Sequence, residues 1–134
     1  MEWKRIAAIA AAGTIGSFAD WVFMGVLFHE SYNRYPEIWR PGIRDGKDRM
    51  AIVWSSLLGY VMTAGVVGLC RMARVDSVVG GLLVALLAWI AGPVIILIVN
   101  GLFIKMDRKI VFAHGVGYLA RMLLAGMAAG FAAG

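Results

Sequence analysis

SVVGGLLVALLAWIAGPVIILIVNGLFI, residues 77–104, runs for 28 positions without a charge. A helix of about 20 apolar residues crosses the hydrocarbon core of a bilayer, so this stretch decides the class. Three more stretches have the same character. Residues 6–28 carry one charge, Asp20; residues 50–70 carry none; residues 110–134 carry one, Arg121. Asn100-Gly101 predicts an early end to the third helix, which sets the spans at about 6–28, 50–70, 77–99 and 110–133. Spanning β-strands need shorter segments of alternating polarity, and the sequence has none. The expected fold is all-α: one antiparallel bundle of four transmembrane helices over residues 1–134, with a longer interfacial loop at 29–49.

Composition agrees. The 134 residues are 61% apolar and 16% charged, with mean hydropathy +0.80. Soluble domains are nearer half apolar and a quarter charged, and a soluble globule of this size lacks the interior to hide the difference. Disorder needs the opposite bias. The net charge of +5 sits in the connectors between apolar runs, which points to membrane surface and topology and not to nucleic acid. Cys70, the single cysteine, cannot form an intrachain disulfide.

Lys4-Arg5, an apolar run and Ser17-Phe18-Ala19 imitate a secretory signal. Cleavage there would leave only Trp21 to Phe28 of the first span, so an uncleaved helix is expected. The first connector holds five Lys/Arg, four Asp/Glu and three aromatics, Tyr32, Tyr35 and Trp39, which suit the headgroup layer. Pro36 and Pro41 forbid one continuous helix through it. A structured loop with a short helical turn is expected. Connectors one and three hold eight Lys/Arg (Arg34, Arg40, Arg44, Lys47, Arg49, Lys105, Arg108 and Lys109). The N-terminus and second connector hold four: Lys4, Arg5, Arg71 and Arg74. The positive-inside rule therefore predicts a cytoplasmic first loop with both termini outside.

Charge inside a membrane helix costs about 2.5–3.5 kcal/mol on insertion scales. It persists where a partner or a polar cavity compensates. At about 1.5 Å rise per residue, Asp20 and Arg121 lie within roughly 4–5 Å of the same depth, a gap an arginine side chain bridges. Two readings follow: a buried ion pair joining helix one to helix four, or a pair that handles a proton or an anion. His114, Tyr118 and Arg121 fall at i, i+4 and i+7 and form one stripe. A polar pocket near the first loop would gather Asp20, His114, His29 and Glu30, unless His29-Glu30 merely cap a helix at headgroup level. These six, Asp20, His114, Tyr118, Arg121, His29 and Glu30, are the ligand or ion candidates.

No catalytic or metal site is expected. His29-Glu30 is not HExxH, because position 33 is Asn. Two His with Asp20 or Glu30 could in principle ligate a metal, or His29 and His114 a haem, but neither spacing is diagnostic, and Ser17, Ser55, Ser56 and Ser77 lack a nucleophile elbow. Small-xxx-small pairs (Gly13/Ser17, Gly59/Thr63, Gly81/Ala85 and Ala88/Gly92) predict close helix packing within the bundle. Ser56, Tyr60 and Thr63 make a second polar stripe. Gly92-Pro93 predicts a kink in helix three.

The run Pro93 to Gly126 contains Asn100-Gly101-Leu102-Phe103, a basic turn, Gly117-Tyr118, Leu123-Leu124 and Gly126-Met127. With the first span's Trp21 to Phe28, it resembles a bacterial family known as domain of unknown function 1761. The resemblance implies a small four-helix membrane protein, at home in the bacterial cytoplasmic membrane, and carries no activity to transfer. The expectation is a non-enzymatic bundle with a polar intramembrane pocket that binds or passes a small ligand or ion. It would need no cofactor, and its partners would be membrane lipids and a second copy or a larger membrane complex. The alternative is an accessory subunit that packs its helices against such a complex.

Overall fold

The computed structural model describes residues 2–38 and 49–134. Trp39, Arg40, Pro41, Arg44 and Lys47, which entered the loop and topology readings, lie outside the described residues. All regular structure within them is helical: α1 (Glu2–Asp20), α2 (Arg49–Met72), α3 (Val78–Ala91), α4 (Pro93–Phe103) and α5 (Arg108–Ala133). Among the described residues, four helical stretches are long and apolar enough to cross a membrane: Trp3–Leu27, Arg49–Met72, Val78–Phe103 and Arg108–Ala133.

The third stretch breaks where Gly92-Pro93 predicted a kink. Gly92 leaves helical backbone, and Pro93, which has no N–H to donate, starts α4 at its first turn. Asn100-Gly101 does not end the helix as expected. The Ile104 N–H still reaches the Asn100 carbonyl at 2.8 Å, so α4 runs on to Phe103. Gly101 is tolerated there because its bare Cα lets Val111 of α5 close in.

Helix α1 changes pitch directly after Asp20. Residues Trp21–Leu27 form a π-helical segment, closed by the Phe28 N–H donating to the Phe23 carbonyl at 3.1 Å, five residues back. Two short 3₁₀ turns follow, His29–Asn33 and Pro36–Ile38, so the described part of the first loop has the helical turns expected of it. Contacts with the third connector and α5 pin this loop. Arg34 Nη1 lies 2.7 Å from Asp107 Oδ2, Lys105 Nζ lies 2.5 Å from Glu37 Oε1, and Phe28 stacks edge-on to Phe112. Asp107 also caps α5 by accepting from the Lys109 N–H at 2.8 Å.

Helix α5 is the axis of the fold. Ten of its residues are buried, among them Ala113, Gly115, Gly117, Ala125, Gly126, Ala129 and Gly130. Their small size lets neighbouring backbones approach, the packing mode that apolar solvent favours. Along α3 the approach is closest: Gly81 meets Gly126, Ser77 and Val78 meet Gly130, and the Trp89 indole N–H donates to the Gly115 carbonyl at 2.9 Å. Val66, Val67 and Cys70 of α2 join Ala85, Met122, Ala125 and Ala129 in the apolar core. The outward faces, by contrast, carry Leu57, Leu87, Ile96, Phe103 and many other exposed apolar side chains, the surface a bilayer would cover.

Candidate functional site

Arg121 is 2% exposed, the largest side chain so deeply enclosed. The sequence builds a slot for it from absences. A Cβ on Gly59 of α2 would overlap the guanidinium, and one on Gly16 of α1 would stand 2.9 Å from its Cγ. The small-residue faces of α1 and α2 are therefore the walls of an arginine slot as well as packing surfaces. Beside them, the Gly13 Cα seats the Tyr60 ring, whose hydroxyl meets Thr14 Oγ1 at 2.8 Å. Thr63, fully buried, returns its hydroxyl to the Gly59 carbonyl at 3.0 Å.

Within the slot, Arg121 Nη2 donates to Asp20 Oδ2 in a short ion pair and to Ser17 Oγ at 3.3 Å. The depth argument thus holds: the two charges within the apolar stretches meet across α1 and α5. The pair leaves surplus capacity. Asp20 Oδ1, Arg121 Nε and Arg121 Nη1 are buried with no hydrogen-bond partner among the described residues. Such orphans in a low-dielectric setting are costly, by about 1–3 kcal/mol each.

From this pair a line of polar groups climbs α5 toward the first loop. Gly117 faces Asp20 Oδ1, where a Cβ would lie 3.4 Å from that oxygen. Tyr118 and His114 follow on the same stripe with ring centroids 6.0 Å apart. His114 Nε2 then meets the Tyr32 hydroxyl at 2.8 Å. Burial, with the Tyr118 and Asp20 charges adding to it, pushes the Tyr32 phenol up to about 12, so it keeps its proton. Either group can donate in this bond, since the phenol and the imidazole Nε2 each serve as donor or acceptor according to the ring's tautomer.

Four of the six sequence candidates, Asp20, His114, Tyr118 and Arg121, are brought together. His29 and Glu30 are exposed on the 3₁₀ turn that carries Tyr32, and they do not join the line. The turn aims Tyr32 inward and leaves them at the surface, consistent with their reading as headgroup-level residues. Tyr32, read from sequence only as a headgroup anchor, is the residue the stripe argument missed. Its loop position gives it no helical phase to read, and the one hint was that a half-buried His114 needs a partner. Ser17, Gly16 and Gly59 were legible as small residues but not as the arginine's neighbours. Among the described residues no cluster of three or more His, Cys, Asp or Glu is arranged to hold a metal.

No curated protein and no solved structure matches the chain. One family model does match, described as a protein of unknown function (DUF1761), over residues 7–130. That range reaches into each of the four apolar helices and takes in every member of the polar line from Asp20 to Arg121, and the chain belongs to the DUF1761 family.

Proposed function

We propose that the chain is a small non-enzymatic multipass protein of the bacterial cytoplasmic membrane. Its antiparallel four-helix bundle holds an ion-binding site at mid-depth, reached from the first loop. The observation that carries this reading is the half-satisfied pair: Arg121 holds Asp20 Oδ2, while Asp20 Oδ1 has no partner among the described residues and lies against Gly117, next in sequence to Tyr118 of the Tyr118–His114–Tyr32 line. The ion that this line fits is the proton, because Tyr118, His114 and Tyr32 each carry an exchangeable hydrogen and a lone pair. Beyond Arg121 the bundle turns apolar, through Val66, Val67, Met122 and Ala125. The geometry therefore favours binding over conduction: the line ends inside the membrane.

Infrared difference spectra of the protein in lipid, recorded as pH is stepped, test this. A carboxyl C=O band that titrates and vanishes in Asp20→Asn supports the site, and its hydrogen–deuterium exchange should slow in Tyr32→Phe. A spectrum in which no titrating carboxyl band depends on Asp20 would overturn it.

A second reading, the accessory subunit, draws on the third stretch, Val78–Phe103. It is the most hydrophobic of the four, and of its 26 residues only Gly81 and Ala85 are buried within the chain. A partner complex would cover α4, which has no buried residue of its own. Co-purification of a defined membrane complex in mild detergent, lost when exposed α4 positions such as Ile96 are made polar, would favour this reading.

A further inference from the structure

Between the contacts that tie the first stretch to the polar line of α5 lies a segment with a surplus of chain. Asp20 meets Arg121 at its near end; at its far end Phe28 packs edge-on to Phe112 and Tyr32 reaches His114. The seven residues between, Trp21–Leu27, are π-helical. Helices that close i→i+5 rarely exceed a single turn, and they gather at functional sites.

The register shows what this geometry does. In a continuous α-helix the residue seven positions on returns to within about 20° of the starting face. Counted from Asp20 that residue is Leu27, yet Leu27 is 62% exposed and Phe28, one position later, is the residue on α5. The segment therefore holds one residue more than an α-helix would use between the same contacts. Its own side chains do not lock it in that state, since none of the seven is buried, and Gly25 in its interior has weak helix propensity. Backbone in a sparsely populated geometry persists where its surroundings over-determine it. Here those surroundings are the contacts at the two ends.

We infer that Trp21–Leu27 is a register switch that couples the Asp20–Arg121 pair to the Tyr32–His114 contact. With the pair closed, the segment is π-helical and Tyr32 sits on His114. With the pair parted, the segment takes the α register: Leu27 replaces Phe28 against Phe112, and Ser31 replaces Tyr32 at His114. A one-residue shift turns the chain by about 100°, enough to withdraw the phenol. Leu27 and Phe28 are both apolar, which keeps the two registers close in energy, as a two-state element requires. The trigger rests on the proposed function: protonation of Asp20 removes the charge that holds Arg121. Among the described residues, the ionisable groups that face Asp20 are Arg121 and Tyr118 of α5 and Tyr32 of the loop. Loading the inner end of the line thus breaks the line at its mouth.

Nitrogen-15 NMR of the full chain in lipid, with labelled histidine, tests the coupling. The sequence has two histidines, so His29→Gln isolates the His114 ring signals. Tyr32→Phe gives their position when the contact is lost, and Asp20→Asn should move them to that same position. Deletion of Gly25 removes the surplus residue. The His114 signals should then stay where the parent has them, and Asp20→Asn should no longer move them. A purely electrostatic influence of Asp20 on His114 would persist after the deletion. The deletion also serves if Asp20→Asn does not fold, because by itself it must preserve the contact. Parent-like His114 signals in Asp20→Asn, or signals in the deletion that match Tyr32→Phe, would overturn the switch. The infrared titration reads the trigger separately: a titrating Asp20 carboxyl beside an unresponsive His114 refutes the switch alone, and a responsive His114 without that carboxyl band refutes the proton reading alone.

Discussion

Helix α5 meets its neighbours along two seams that both depend on glycine, for opposite physical reasons. Toward α3, Gly81, Gly126 and Gly130 bring two backbones into direct contact, and the space a side chain would need does not exist. Toward α1 and α2, Gly16 and Gly59 hold space open, and the Arg121 side chain fills it. The first seam is dry and rigid. The second is polar and has hydrogen-bonding capacity left over. One helix of small residues therefore supplies both a structural spine and an enclosed place for a charged pair.

The contrast is sharpest under substitution. Removing one member of a buried pair strands the other, a loss of about 3–5 kcal/mol in proteins generally, and less where water or snorkelling intervenes. Arg121→Gln and Asp20→Asn should therefore give the largest falls in thermal stability of any single changes in the polar seam. Asp20→Asn should be the worse of the two, because Arg121 is the more deeply enclosed partner.

Gly126→Val attacks the dry seam, where the obstacle is the Gly81 carbonyl and not a side chain that can swing away. The cost should reach the upper end of the ~1–3 kcal/mol typical of overpacking. Shortening α3 side chains should not rescue it. Rescue by Ala85→Gly would show that the contact yields more readily than a backbone seam should.

Gly59→Ala puts a single methyl, a smaller group, into the polar seam, with a different outcome. Its Cβ meets the end of a flexible guanidinium, so the expected cost is about 1–2 kcal/mol and comes from displacing Arg121 off Asp20. In an Arg121→Gln background the same alanine should cost almost nothing. An undiminished cost there would place the clash elsewhere than at the arginine.

Tyr32→Phe should have the smallest effect, about 1 kcal/mol for one hydrogen bond to His114. It carries a pH signature as well. The Tyr32 phenol is raised in the folded protein, to about 12. Its contribution is therefore full below the ordinary tyrosine value near 10 and fades as pH climbs toward about 12. The phenylalanine variant should lose stability less steeply than the parent across that alkaline window, measured by unfolding at stepped pH.

The sequence was most readable where physics acts along the chain. Apolar run length identified all four helices, the Gly92-Pro93 break followed from a missing N–H, and the family was recognisable from the α4–α5 region. Asp20 and Arg121 could be matched because rise per residue converts position into depth. What escaped was information held between segments. The end of α4 was misplaced because Asn100-Gly101 has weak helix propensity on its own, whereas in the fold Gly101 sits against Val111 of α5 and the helix runs on to Phe103. Tyr32 escaped because a loop residue has no periodic phase. The roles of Gly16 and Gly59 escaped because a glycine looks the same in sequence whether a backbone or an arginine fills the gap.

The central claim is that Asp20 and Arg121 act as one unit inside the bundle, and a double-mutant cycle on purified protein tests it most directly. Thermal unfolding is compared for the parent, Asp20→Asn, Arg121→Gln and the double variant. If the pair is coupled, the double variant recovers much of the loss of either single, because neither charge is left stranded. A double variant whose loss equals the sum of the two singles would contradict the account, and would mean that each charge is held by something other than its partner.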